Sequence, residues 1–306
     1  MALMVDVASV FNATLPCSPF QWFCLLFFTS LLSVIVGFFD DDELNQYRVL
    51  RGPGRAFVLV GRIAHFCFAG YGKFSEGSTR LNLGSLGRVP GMLIIYAPPL
   101  GMAAYCCSIY SADLSQLAAD PTKAFWTTPT AALLSLYMLL HFVKRCVEVV
   151  FVHHGTARVE VVCAVSIMAW YLSNVAVYVW LTDVAHACGG PPSGRAVRLV
   201  GTALWLVGVT TNAYHHLLLR WLRSDGDKQY KLPTGGLFAH VAGAHYFCEL
   251  VGWFGIALLC GHVMVWVVWA CNVLYLVGRS VMTTRWYRAK FDDYPAERKH
   301  IVPFLF

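Results

Sequence analysis

Residues Val159–Ala185 read VEVVCAVSIMAWYLSNVAVYVWLTDVA, and no charged side chain interrupts the run between Glu160 and Asp183. A helix rises about 1.5 Å per residue, so a run of this length crosses the ~30 Å hydrocarbon layer of a bilayer. Further apolar runs fall at Phe20–Phe39, Ala56–Tyr71, Met92–Tyr110, Ala131–Val152, Ala196–Leu219 and Tyr246–Val277. The last can be one tilted helix or two packed pieces, with Gly255 and Gly261 as candidate breaks. The 306 residues are 58% hydrophobic and 13% charged, with a mean hydropathy of +0.57. A soluble domain carries about a quarter charged residues. The expected fold is therefore all-α, a multi-pass transmembrane bundle of about seven helices, with residues 1–306 as a single integral membrane domain.

Charge and turn chemistry fill in the edges. The net charge is +6, and Arg279, Arg285, Arg288, Lys290, Arg298 and Lys299 gather near the end. That cluster fits a cytoplasmic segment obeying the positive-inside tendency, or cations that meet phosphates. The chain offers too little solvated basic surface for a nucleic-acid partner. Eleven cysteines are present without a CxxC pair, and they read as small membrane hydrophobes, with no metal site. The first run lacks a basic n-region and a cleavage site and reads as a retained helix, stopped by Asp40-Asp41-Asp42-Glu43. Asn12-Ala13-Thr14 is a glycosylation sequon of a kind that chance often supplies. Loops are expected at Arg51–Arg55, Gly189–Gly194 and Arg223–Gly236.

Ionisable groups at membrane depth cost several kcal/mol unless paired or hydrated, so polar rows on apolar helices point to function. Four rows have helical spacing. His141, Lys144, Arg145 and Glu148 form the first, with Lys144 and Glu148 placed to pair. Asn212, His216 and Arg220 form the second, with Arg223 close behind. His245, Glu249 and Trp253 form the third, with Tyr246 alongside. Arg279, Thr283 and Tyr287 form the fourth, just past the last run. Cations, amide, imidazole, carboxylate and phenol together suit a polar ligand that bears phosphate. No GxGxxG follows a strand, and there is no Walker A loop, no GxSxG and no HxxHH box.

The end of the chain, Arg279–Phe306 (RSVMTTRWYRAKFDDYPAERKHIVPFLF), resembles the C-terminal signature of the steroid 5α-reductase family. Tyr230–Phe238 (YKLPTGGLF) is similar to that family's loop motif, and Tyr71-Gly72-Lys73 to a short N-terminal one. The clear resemblance covers residues 200–306. Lys144–His153 (KRCVEVVFVH) also resembles a segment of the very-long-chain trans-2-enoyl-CoA reductase branch, as does His216. The resemblance implies an NADPH-dependent oxidoreductase in the endoplasmic reticulum membrane. It would saturate a C=C conjugated to a carbonyl in a lipid, as part of lipid metabolism. Carried over motif by motif, Asn212, His216, Arg220, Arg223, Tyr230, Lys231, His245, Glu249, Arg279 and Tyr287 would contact NADPH. Tyr246 would donate to the substrate carbonyl, with Lys144 and Glu148 tuning or relaying its proton.

The pattern is broken on the substrate side. Ile94–Leu100 (IIYAPPL) lacks the family's early Glu, Phe142 stands where the steroid branch has Tyr, and His245 stands for an Asn. Losing two groups that would grip a steroid carbonyl tips the expectation slightly toward enoyl-CoA over a 3-oxo-Δ4-steroid. The rival reading is a non-catalytic relative acting as a structural subunit, with partners in a membrane complex. A transporter would need paired inverted halves, which the sequence lacks.

Overall fold

The computed structural model describes residues 84–153, 158–187, 194–222 and 230–306. The runs at Phe20–Phe39 and Ala56–Tyr71, the acidic stop, the sequon and Tyr71-Gly72-Lys73 lie outside these residues, as does Arg223. Eight α-helices occur among the described residues: α1 Arg88–Ile109, α2 Ser111–Ala119, α3 Pro121–Thr127, α4 Thr130–Val147, α5 Val161–Ala187, α6 Arg195–Trp221, α7 Ala244–Cys260 and α8 Val263–Lys290. The protein is an all-α membrane bundle. Four of these helices (α1, α5, α6 and α8) are long and apolar enough to cross a membrane.

The expected runs map onto helices with two adjustments. Tyr246–Val277 is two helices, broken at Gly261, whose φ of 70° ends α7 in the left-handed conformation. Only glycine adopts that geometry without strain. His262 then caps α8, its Nδ1 accepting from the backbone N–H of Met264 at 3.2 Å. Gly255, the other candidate, stays helical. The second adjustment is length: the 28 residues of α8 give about 42 Å. The row Arg279–Thr283–Tyr287 is therefore the outer end of a spanning helix rather than a separate one.

Packing follows small residues. The closest pair is α6 against α7, where Gly201 and Gly208 face Gly252 and Gly255. Lipid offers no hydrophobic drive between helices, so close backbone approach through glycine supplies the dispersion contacts instead. On the other side α1 packs on α4 and α5. A two-residue antiparallel clip, Ser85–Leu86 (β1) with Val159–Glu160 (β2), ties the start of α1 to the start of α5. Asp120 opens α3, its Oδ1 accepting from the Lys123 N–H at 3.2 Å, with Pro121 in the first turn. The chain's last residues form a strap: the N–H groups of Ala242 and Gly243 donate to the carbonyls of Lys299 and His300, both at 2.9 Å. Burial and the nearby Arg288, Arg285 and Lys299 hold His300 below the usual imidazole range. Its neutral ring bonds Thr284 at 2.8 Å. The strap thus fixes the entry to α7, which carries His245 and Glu249.

The seven cysteines described form no disulfide and are buried or half-buried, as membrane hydrophobes should be.

Candidate functional site

At its end α4 widens into a π-helical turn, Glu148–Val152, closed by the His153 N–H donating to the Glu148 carbonyl at 2.7 Å. Such turns recur at functional sites because they strand carbonyl groups and re-aim side chains. Here guanidinium groups collect the stranded carbonyls: Arg88 Nη1 donates to Val149 O at 2.9 Å, and Arg220 donates to Phe151 O.

The turn presents Glu148, 4% exposed, to three bases. Lys144 Nζ lies 2.9 Å from Oε1, while Arg145 Nη1 and His216 Nδ1 each lie 3.0 Å from Oε2. Arg145 is itself 7% exposed and also donates to the Tyr96 phenol oxygen, its guanidinium carbon sitting 4.6 Å over the Tyr96 ring. Lys144 donates to Asn212 Oδ1, and Asn212 Nδ2 donates to the His245 backbone carbonyl at 2.8 Å. Because the Lys144 ammonium only donates, it fixes which end of the Asn212 amide is oxygen. The network therefore joins α1, α4, α6 and α7. We expect Asn212→Leu, which removes both bonds, to cost about 2 kcal/mol, read as a lower unfolding midpoint in detergent.

One ligand atom each from Glu148, His153 and His216 lies within 4.8 Å of the others, a spacing a cation could use. Two cations already flank Glu148 at about the contact distance, and a third charge would meet their repulsion. These groups read as an ion-pair network.

The expected site residues thus separate into two places. Lys144, Glu148, Asn212, His216 and Arg220 come together, and His245 joins them, its ring 5.4 Å from that of His216. Glu249, 8% exposed, extends the site: its Oε1 is 3.5 Å from the Tyr171 hydroxyl and from Trp253 Nε1. Tyr246 packs differently. Its ring touches His245 at 3.9 Å and sits on the apolar cluster of Leu250, Leu276 and Ile301. Tyr230 and Tyr287 belong to an aromatic and cationic layer at the outer end of α8. There Tyr230 meets Trp286 edge-on at 4.7 Å, Tyr287 stacks with Tyr294 at 6.1 Å, and Lys290 lies 5.6 Å over Tyr230. Lys231 follows Tyr230 in exposed chain, and Arg279 lies half-buried where its charge reaches Tyr275.

Some residues here were not singled out from sequence. Arg145 was visible as a member of a row, yet nothing in its spacing showed it as the hub. Tyr96 drew notice only as the neighbour of a missing acid. Trp286, Tyr294 and Arg298 sit in the C-terminal signature, and their periodicity gave no sign that they form one layer.

A planar base and phosphates suit the outer layer, where aromatic faces lie beside guanidinium and ammonium groups. Asn212 and Glu249 suit amide and hydroxyl groups further in. The residues present therefore fit a pyridine dinucleotide phosphate.

Residues 158–306 match the family model described as 3-oxo-5-alpha-steroid 4-dehydrogenase. The chain is 34% identical over 205 residues to 3-oxo-5-alpha-steroid 4-dehydrogenase 1 of Homo sapiens, covering 63% of this chain and 74% of the relative. It is 36% identical over 189 residues to that of Mus musculus, covering 58% and 69%. To 3-oxo-5-alpha-steroid 4-dehydrogenase 2 of Homo sapiens it is 27% identical over 280 residues, covering 86% and 99%. On these matches the chain belongs to the steroid 5α-reductase family.

Proposed function

We propose that this protein is an NADPH-dependent reductase that saturates a C=C conjugated to a carbonyl in a lipid-phase substrate, working in the endoplasmic reticulum membrane. The observation that carries the proposal is the buried Lys144–Glu148–Arg145–His216 network, bonded through Asn212 to the helix that holds His245 and Glu249. Ionisable groups desolvated between spanning helices are functional candidates by default.

NADPH, when bound, would supply the hydride to the β-carbon. Negative charge would then develop on the carbonyl oxygen, where a donor would lower the barrier, and a proton from solvent taken up at the α-carbon would complete the saturation. Tyr246 is our candidate donor, next in sequence to the His245 carbonyl that Asn212 holds. Lys144 and Glu148 would act on it through that link. Tyr96 is a second phenol of the same chemistry, favoured by its bond from Arg145. Tyr246→Phe should leave NADPH binding intact and lower kcat by about 100-fold or more. Full turnover in that variant, with loss in Tyr96→Phe, would transfer the role to Tyr96.

The named relatives favour a cyclic 3-oxo-Δ4 enone as substrate. The enoyl thioester reading is kept by one feature, the KRCVEVVFVH segment whose Lys144 and Glu148 pair in the buried site. The test is NADPH titration of the detergent-purified protein, followed by NADPH oxidation with a 3-oxo-Δ4-steroid and with a trans-2-enoyl-CoA. Oxidation with either supports the reductase. Absence of NADPH binding would favour the non-catalytic subunit.

A further inference from the structure

His215 stands beside His216 on α6 and is equally buried, yet it bonds different partners. Its Nδ1 lies 2.7 Å from the Thr211 carbonyl oxygen, one turn back. Its Nε2 lies 3.0 Å from the backbone nitrogen of Leu237, 22 residues on. A carbonyl can only accept and an amide N–H can only donate. The two bonds therefore demand one and the same neutral tautomer, with the proton on Nδ1 and the lone pair on Nε2. The ring is a fixed acceptor aimed at one backbone group.

That group belongs to a turn. Leu237 lies in the short 3₁₀ turn Gly236–Ala239, which closes the YKLPTGGLF segment. Gly236 has a φ of 56°, and a Cβ there would lie 3.0 Å from His215 Nε2 and 3.1 Å from the Tyr214 ring. Glycine lets the backbone come up against the imidazole in a conformation that side chains avoid. The Phe238 ring, fully buried, meets two imidazoles, with centroids 5.4 Å from His215 and 5.9 Å from His245. Ahead of the turn, Tyr230 to Gly235 run without helix or strand. Arg298 Nη1 donates to the Pro233 carbonyl at 3.0 Å, and Tyr230 reaches the outer layer at Trp286. The loop is thus drawn between the C-terminal segment at one end and His215 at the other.

We propose that His215 is a positioning residue for the cofactor: its Nε2 seats the Gly236–Ala239 turn and so holds Tyr230 and Lys231 at the outer layer before the dinucleotide phosphate arrives. This rests on the reductase reading above and deepens it. A loop without its seat is ordered only when the ligand binds, and that ordering is subtracted from the affinity. The loss falls on the base and phosphates, which suit the outer layer, rather than on the hydride step.

The experiment uses the full chain in detergent. NADPH and adenosine 2′,5′-bisphosphate are titrated by quenching of tryptophan fluorescence, and tryptic cleavage after the exposed Lys231 is timed by mass spectrometry. His215→Phe keeps a ring but offers no acceptor. It should bind both probes about tenfold more weakly. It should also be cut faster after Lys231, and raise the NADPH KM by more than it lowers kcat. His215→Gln, whose side-chain oxygen can take the same N–H, should recover most of the affinity. Gly236→Ala removes the seat from the loop side and leaves α6 as it is. It should reproduce the loss, and adding His215→Phe to it should cost little more, as for two partners in one contact. Unchanged affinity and cleavage in His215→Phe overturns the proposal. So does full additivity of the two substitutions, or a His215→Gln protein no better than His215→Phe. A wild-type protein that binds neither probe, with faster cleavage in His215→Phe, would sink the reductase reading and leave the seat at His215 standing.

Discussion

Arg145→Met lowers the stability of the bundle by about 3 kcal/mol and abolishes reductase turnover, the largest expected effect of any side-chain truncation in this protein. Two partners lose their contact at once. Glu148 keeps Lys144 at 2.9 Å but loses Arg145, and the Tyr96 phenol loses its donor. Removing one member of a buried ion pair leaves the other charge desolvated and uncompensated, which is costlier than never having had the pair. Lys144 still faces Glu148, so the loss sits at the low end of the usual range. Arg145→Lys tests what the planar fork adds: a single ammonium cannot serve Glu148 and Tyr96 from two nitrogens. It should fall between the wild type and Arg145→Met. The measurement is the thermal unfolding midpoint in detergent, alongside NADPH oxidation. Equal midpoints for Arg145→Met and wild type would show that the network does not hold α1 to α4.

That prediction was not within reach of the sequence, and the reason is geometric. Helical periodicity says which residues share a face of one helix. Lys144 pairing with Glu148, and Asn212 lining up with His216, follow from spacing alone. Periodicity says nothing about which rows face each other. Tyr96 and Arg145 are 49 residues apart and on different helices, and their meeting depends on how α1 leans on α4. A break at Gly255 or Gly261 was legible only as one option beside a single long helix; the chain breaks at Gly261, whereas Gly255 stays helical and packs against α6. The extension of α8 to Lys290 was less so, since its polar outer turns look like a separate amphipathic helix once hydropathy falls. The tyrosine in Ile94–Leu100 is plain in the sequence, but only the structure shows it buried and held by a guanidinium. The motif residues Tyr230 and Tyr287 were legible as members of a signature, whereas their shared layer with Trp286 and Tyr294 needed the fold of the C-terminal segment.

The register between rows is set elsewhere, at the α6–α7 contact, and Gly208→Ala is expected to destroy it. A Cβ at Gly208 would lie 2.3 Å from Gly252 N, 2.5 Å from Gly252 Cα and 2.7 Å from Cys248 O. All three are backbone atoms, so no rotamer change relieves the clash and the helices must part. Overpacking of this kind costs about 1–3 kcal/mol where side chains can adjust, and more where only backbone can. Parting α6 from α7 also pulls Asn212 from the His245 carbonyl, a bond of 2.8 Å one turn away. NADPH affinity should therefore fall by about 100-fold or more, the equivalent of roughly 3 kcal/mol. The opposite face gives an internal control. A Cβ at Gly252 would meet nothing nearer than Gly208 Cα at 3.7 Å, an ordinary contact, so Gly252→Ala should bind NADPH nearly as the wild type does. Gly101→Ala, with nothing within 4 Å, should be neutral or slightly stabilising. Glycine at position 208 is required by one direction of approach only, so two alanines placed on facing glycines should differ by orders of magnitude in cofactor titration. Equal behaviour of Gly208→Ala and Gly252→Ala would mean that the two helices do not pack in this register.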